Sequence, residues 1–353
     1  MFDLLPKANR RRKPRRRLFA LIPLAAVFVF SDCGLGSSAG TADSRSGVFL
    51  GLPVNCRLGD ECFVQQMPDM DPGPGVVDPL CGRASYEGHD GWDIRLRSLK
   101  DIGRAAVVSI ADGTVLRVRD GVADRIFDRL KDSKLLGGKE CGNGVLIEHA
   151  NGIVSQYCHL KQGSIAVHSG TRIGKGERLG LIGASGLAEF PHVHLSIRRD
   201  GIPFEPLTGR SLRSGAEAFG ETTGGLFEPS VQSLLSNSPT AILDFGLAKT
   251  APELPNLVRD GGPPLVKLSE PIVAWVWAIN VEQGSFFRIR LLDSDGVPIV
   301  NLQTRALEGR KANYLAYVGG KNGARAGVYD LRVELFDGTR TVQSTAKSFE
   351  IGQ

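Results

Sequence analysis

The chain has 353 residues, 42% of them apolar and 23% charged, which is enough for two folded units and too apolar for a wholly disordered protein. Glycine at 44, proline at 19 and only 7% aromatic residues favour turn-rich β structure over helical bundles. Of the formal charge of +5, residues 1–17 alone carry +7 (eight Lys or Arg against Asp3), so the remainder sums to −2, and a mildly acidic body without a basic or aromatic platform excludes nucleic acid as a partner.

The basic stretch runs into Leu18–Phe30, thirteen residues without a charge, and then into small residues from Gly34 to Gly40. A basic region, a short apolar region and a small-residue zone are the layout of a secretory signal, here residues 1–40, with the mature chain expected to begin between Gly34 and Ala42. The apolar run is shorter than the ~20 residues a spanning helix needs. Retention of the leader, with association at the inner membrane, is the alternative that stays open. Arg16-Arg17-Leu18-Phe19 resembles a twin-arginine signal, and Phe30-Ser31-Asp32 is a poor lipobox for Cys33. Export to the periplasm or cell envelope places Cys56, Cys62, Cys81, Cys141 and Cys158 where disulfides persist. None shows the paired spacing of a zinc ribbon, so bridges are expected, with at least one thiol of the five left over or paired elsewhere and the connectivity open.

Residues 41–85 form a loop-rich segment. Met67-Pro68-Asp69-Met70-Asp71-Pro72-Gly73-Pro74-Gly75 cannot hold a ladder or a helix, because proline lacks the donor and glycine is too free. Residues 86–210 form a compact antiparallel β core. Strands are expected at Asp93–Leu96, Thr114–Val118, Val145–Glu148, Ile153–Leu160 and Pro191–Arg198, separated by Asp-Gly and Asn-Gly turns, with a Gly-spaced hairpin over Arg172–Ile182. Ala123–Leu136, with Ile126 and Leu130 four apart, predicts a short helical insertion. Residues 211–260, rich in Gly, Ser, Thr and Pro, predict a linker.

Residues 261–353 predict a small β-sandwich of immunoglobulin-like type. Val328–Leu335 alternates, with Tyr329, Leu331, Val333 and Leu335 on one face, while Trp275, Trp277, Phe287, Ile289 and Leu291 supply bulky partners for a two-sheet core. This unit holds no histidine and no cysteine, so metal chemistry does not reside there. It is a candidate docking surface for the wall or for a protein partner.

The six histidines carry the functional argument. His89 and Asp93 lie four apart at the entry to a strand, and His159 closes Gln156-Tyr157-Cys158-His159-Leu160. Pro191-His192-Val193-His194-Leu195 puts two imidazoles on one face of a strand and Val193 and Leu195 on the other. A hydrolytic zinc site takes three ligands from His, Asp or Glu and leaves a fourth position for water, whose pKa the metal lowers. His89, Asp93 and one histidine of the pair complete such a set. The other histidine and His159 are then left for proton transfer or oxyanion stabilisation, and alternation alone does not say which of the pair binds metal. His149 beside the Asn151-Gly152 turn is expected to be structural, and His168 in a turn to be exposed.

His-x-Gly-x-Asp, Asp-Gly-Thr-Val, Gly-Asn-Gly-Val-x-Ile-x-His, Tyr-x-His-Leu and Pro-His-x-His-Leu occur in order between Gly88 and Leu207. In this the chain resembles the lysostaphin-type (LytM-like, β-lytic) zinc metallopeptidases, which cut peptide cross-links in bacterial peptidoglycan. The resemblance implies one zinc ion on His89, Asp93 and His194, with His159 and His192 as the catalytic pair. Glu87 stands where an arginine is often seen in that family, Ala123–Gly138 enlarges a loop, and Cys158 is unusual. The Gly-spaced hairpin also resembles a biotinyl-type half barrel, but Lys175 sits in the wrong part of the repeat for a carrier. A module of another class, binding the wall or activating other hydrolases without catalysis, would use the same groove; loss of a ligand would favour it, and no ligand is lost.

Overall fold

The computed structural model describes residues 48–128, 137–212, 224–237 and 239–352. The leader therefore lies outside the described residues. Among those residues no helix is long and apolar enough to cross a membrane. The architecture is mainly β and antiparallel.

The segment expected to be loop-rich contributes two short strands, β1 (Val54–Asn55) and β2 (Phe63–Gln66), with Cys56 and Cys62 bridged between them. Further along run β3 (Gly91–Arg95), β4 (Ala106–Val108), β5 (Gly113–Arg119), β6 (Asn143–His149), β7 (Ile153–Leu160), β8 (Arg172–Ile173), β9 (Arg178–Leu181), β10 (His192–Arg199), β11 (Ile202–Glu205) and β12 (Arg210–Ser211). The expected hairpin over Arg172–Ile182 is absent: β8 pairs with β5 in the large sheet, and β9 pairs with β4 in a small sheet with β1. The turn between them directs the chain from one layer to the other.

The large sheet is built around β10. One edge of β10 pairs with β7, and the other pairs with β3 over His192–Ser196 and with β11 over Arg198–Arg199. Val193, Leu195 and Ile197 point into an apolar core with Trp92, Ile94 and Ile147. Trp92 donates its indole N–H to the buried Glu205 at 3.2 Å, which ties β3 to β11. The opposite face of β10 is left for the imidazoles, as the alternation of the sequence requires.

Residues 123–128 are not helical, contrary to the expected insertion; Asp124 instead bridges to Ser185, and 129–136 lie outside the described residues. The expected linker is also ordered where it is described. A helix, Pro229–Leu235, buries Val231 and Leu235 in the first core. Strand β13 (Ala241–Ala248) then edges the next sheet, and a second helix, Leu254–Asp260, buries Leu257. Each of these pieces has only seven or eight residues, too few for a periodicity to stand out against the Gly, Ser and Pro around them.

The C-terminal strands are β14 (Pro271–Val281), β15 (Ser285–Leu292), β16 (Pro298–Gln303), β17 (Lys311–Gly323), β18 (Gly327–Asp337) and β19 (Arg340–Ile351). They form a three-stranded sheet, β13-β14-β17, and a four-stranded one, β16-β15-β18-β19. Phe287, Ile289, Leu291, Tyr329, Leu331, Val333 and Leu335 fill the core these sheets share with β14. Trp275 and Trp277 do not join it. They face the other way, clustering with Phe63 of β2, Leu243 and Ile279. The unbroken apolar run from Val273 to Ile279 is the mark of a strand covered on both faces, here by its own sheet partner and by the first unit. Polar bonds cross the same boundary: Gln65 Nε2 to the Ala312 carbonyl at 3.1 Å and Arg97 Nε to the Leu243 carbonyl at 2.6 Å.

Candidate active site

Antiparallel pairing sets Asp93 of β3 directly opposite His194 of β10, and His194 opposite Cys158 of β7. His89 reaches the same point from the turn before β3. Its Nδ1–H donates to the carbonyl of Met67 at 2.8 Å, because a carbonyl can only accept. That bond leaves Nε2 with its lone pair directed inward, 3.2 Å from Asp93 Oδ1 and 3.3 Å from His194 Nδ1. His194 Nδ1 lies 2.9 Å from the same Asp93 oxygen, and its Nε2 lies 3.3 Å from Asp90 Oδ1. Three ligand atoms, one each from His89, Asp93 and His194, thus fall within 4.8 Å of one another among buried or nearly buried side chains. The chemistry fits zinc: two imidazole nitrogens and one carboxylate, each histidine held through its other nitrogen by an oxygen acceptor.

Gly91 is required by this arrangement. A Cβ there would lie 2.6 Å from His194 Cε1, 2.7 Å from His194 Nε2 and 2.6 Å from the Leu195 carbonyl. The glycine of the His-x-Gly-x-Asp motif is therefore the space into which the third imidazole packs. Gly91→Ala is expected to displace His194 and to weaken zinc binding by ~10–100-fold, the scale of lost outer-shell support. A competition titration against a chromogenic chelator measures it, and an unchanged affinity would contradict the packing argument.

His159 and His192 stand beside these three with ring centroids 4.5 Å apart. His159, the last but one residue of β7, lies in the left-handed region (φ 63°). Its backbone N–H donates to the Cys141 carbonyl at 2.8 Å, and its Nδ1–H donates to the Ser185 carbonyl at 2.8 Å. Ser185 is in turn fixed by its hydroxyl, which accepts from the Asn143 N–H and donates to the Leu160 carbonyl. Gly142 (φ 62°) lets Ser185 approach, since a Cβ there would meet its carbonyl oxygen at 2.3 Å. His192 donates Nδ1–H to the Phe190 carbonyl at 2.8 Å, which leaves Nε2 facing Asp93 Oδ1 at 3.7 Å. Both rings are in the same tautomer, with the Nε2 lone pair towards the cleft.

The charges follow from burial and neighbours. Burial pushes His159 well below the usual imidazole range, helped by His192 and His194. Burial also lowers His192, with Asp93 and the Phe190 carbonyl offsetting part of the effect. For Asp93 burial works upward, but His89, His192 and His194 outweigh it and hold the carboxylate well below its ordinary value. Burial alone would lower His194; its bonds to Asp90 and Asp93 win and raise it to about 9. Without metal, then, His194 keeps a proton at pH 7 that a metal must expel. Apparent zinc affinity is expected to rise ~10-fold per pH unit from pH 7 and to flatten near 9, with about one proton released per ion. Calorimetry in buffers of different ionisation enthalpy tests this; a pH-independent affinity would contradict it. For the metal-free fold the sign is opposite: the raised value stabilises below the ordinary 6.5 and is lost as pH rises through about 9.

The cleft beside these residues has a volume of about 370 Å³ and is lined by Gln66, Tyr86, Glu140, Gln156, Glu189 and Arg198. The Cys141–Cys158 disulfide forms part of its wall. Cys56–Cys62 and Cys141–Cys158 use four of the five; Cys81 is disulfide-bonded as well, so the odd thiol pairs elsewhere, and no described cysteine is free. His149, buried between the Asp112 carbonyl and the Ser155 hydroxyl, is structural, and His168 is exposed in its turn. Glu87, at the position noted as a departure, accepts the Gly75 N–H at 2.8 Å. The acceptors carry no signature in the sequence: Met67, Ser185 and Phe190 act through backbone carbonyls, which any residue type could supply. Asp90 is the exception, a carboxylate inside the His-x-Gly-x-Asp motif whose side chain faces His194 Nε2.

Residues 87–206 match the profile of peptidase family M23. The DD-carboxypeptidase/endopeptidase Mpg of Neisseria meningitidis is 37% identical over 67 residues, 19% of this chain and 15% of that protein. The peptidoglycan DD-endopeptidase ShyA of Vibrio cholerae is 37% identical over 62 residues, 18% of this chain and 14% of that protein. The chain thus matches only about a seventh of the length of these relatives. The catalytic domain of lysostaphin from Staphylococcus simulans superposes at 16% identity and a TM-score of 0.26, covering 44% of this chain and 93% of that one.

Proposed function

From the peptidase family M23 domain that residues 87–206 constitute, we propose that this chain is a zinc endopeptidase hydrolysing peptide cross-links in peptidoglycan, exported to the periplasm or cell envelope. The observation that carries the reading is the convergence of His89, Asp93, His194, His159 and His192 on one cleft, each imidazole held in a set orientation from behind.

His89, Asp93 and His194 would hold the zinc. Bound there, the metal would supply Lewis acidity, lowering the pKa of a water and polarising the scissile carbonyl. His159 and His192 are neutral at pH 7, and each offers an Nε2 lone pair to the cleft. Either can take the proton of an attacking water, and the resulting N–H is then a charged donor to the developing oxyanion or to the departing amine. Because both Nδ1–H groups are held by carbonyls, neither ring turns as its proton arrives. A module that only bound wall would have no use for this fixed tautomer pair.

The test is digestion of purified murein by residues 45–353. Soluble cross-link cleavage products that vanish with a chelator and return with zinc are expected. Murein binding without products, equal with and without chelator, would replace the enzyme by a binding module.

A further inference from the structure

We propose that Arg95 is a positioning residue for His192, held in place by the C-terminal unit through Trp277. The proposal rests on the reading that His192 takes part in the chemistry. Arg95 is fully buried, and among the described residues its hydrogen bonds go to no carboxylate: Nη1 donates to Gln65 Oε1 at 2.6 Å, Nε to the Leu96 carbonyl at 3.0 Å and Nη2 to the Arg97 carbonyl at 3.3 Å. A buried cation without an anion is costly, and an apolar side chain of the same volume would avoid that cost. Two aromatic faces offset it. The guanidinium carbon lies 4.6 Å from the ring centre of Phe190 and 4.9 Å from that of Trp277, so Arg95 bridges the two rings.

Each end of this bridge leads somewhere definite. Arg95 stands opposite His192 in the β3–β10 ladder and shares its face of the sheet. Phe190 supplies the carbonyl that accepts His192 Nδ1–H, and its ring lies 4.6 Å from the imidazole. Removing the cation therefore frees the residue that sets the His192 tautomer. On the other side, Trp277 is oriented by its bond to Asn313 Oδ1 at 3.1 Å, and Gln65 is fixed by the Ala312 carbonyl. Both Trp277 and Ala312 belong to the sheet of β14 and β17. The C-terminal unit thus contributes to the rate of the reaction although it holds none of the five site residues.

The experiment uses the full chain loaded with zinc. Arg95→Met, which keeps the stem, and Phe190→Leu, which keeps the carbonyl, should retain zinc and KM while kcat falls by up to ~10²-fold, the scale of a small misplacement of a catalytic group. Nitrogen-15 spectra should show one His192 tautomer in the wild type and a mixture in the variants. Trp277→Ala should act like Arg95→Met, and Trp277→Phe, which restores a ring face, should recover kcat. If Trp277→Ala does not fold, Arg95→Met and Phe190→Leu decide the matter. Wild-type kcat with a single tautomer in both would overturn the proposal, as would a rise in KM at constant kcat. A wild-type chain that cuts no cross-link would overturn the proposed activity alone, because the tautomer spectra still decide the positioning role.

Discussion

Replacing His159 by alanine is expected to leave zinc at one ion per chain and to lower kcat by ~10²–10³-fold, the scale seen when a single transition-state donor is removed. The imidazole is bonded to the Ser185 carbonyl, with its ring centre 4.5 Å from that of His192 and 6.1 Å from that of His194, and it belongs to none of the three proposed ligands, so its loss should not empty the metal set. Its backbone is left-handed, which alanine tolerates poorly. His159→Asn accepts that conformation and should give the same fall in rate without the strain. Steady-state kinetics on a soluble cross-linked peptide, with metal analysis on the same samples, reads both quantities. Loss of zinc in His159→Asn would move His159 into the metal set.

Asp93→Ala is expected to behave in the opposite way, emptying the site and taking all activity with it. Asp93 Oδ1 faces His89, His192 and His194 at 3.2, 3.7 and 2.9 Å. Removing it deletes one of the three proposed metal bonds and also the negative charge that faces the three imidazoles. His89→Ala should likewise release zinc, because Nε2 is its proposed ligand atom. Elemental analysis after gel filtration checks both, and excess zinc should restore little activity to either. Retention of a full equivalent by Asp93→Ala would mean that Asp90 takes its place on the metal.

Four of the five proposed site residues stand out in the sequence because a two-residue spacing (His192, His194) and a four-residue spacing (His89, Asp93) are local properties of the chain, whereas His159 stands out only through Tyr-x-His-Leu. His192 and His194 had to share a face, and β10 bears this out. That Asp93 meets His194 was not legible, because the register of β3 on β10 is set by Trp92, Ile94, Val193 and Leu195 finding one core. The strand alternation of Tyr329–Leu335 was equally local and held. Trp275 and Trp277 were placed on the wrong face because a strand covered on both sides has no alternation to read. Ala241–Ala248 was lost in the expected linker, since an edge strand declares itself only through its partner, β14. The backbone carbonyls behind the imidazoles have no sequence signature at all.

The most direct test of the account compares His192→Ala with His194→Ala, two substitutions on one face of one strand. His194 Nδ1 sits 2.9 Å from Asp93 and 3.3 Å from His89 Nε2, whereas His192 is turned towards His159 and Phe190. Zinc per chain, measured beside kcat on the same preparations, should stay near one for His192→Ala with the rate lost, and should fall to background for His194→Ala. An empty His192→Ala beside a fully loaded His194→Ala would reverse the two roles and contradict the account.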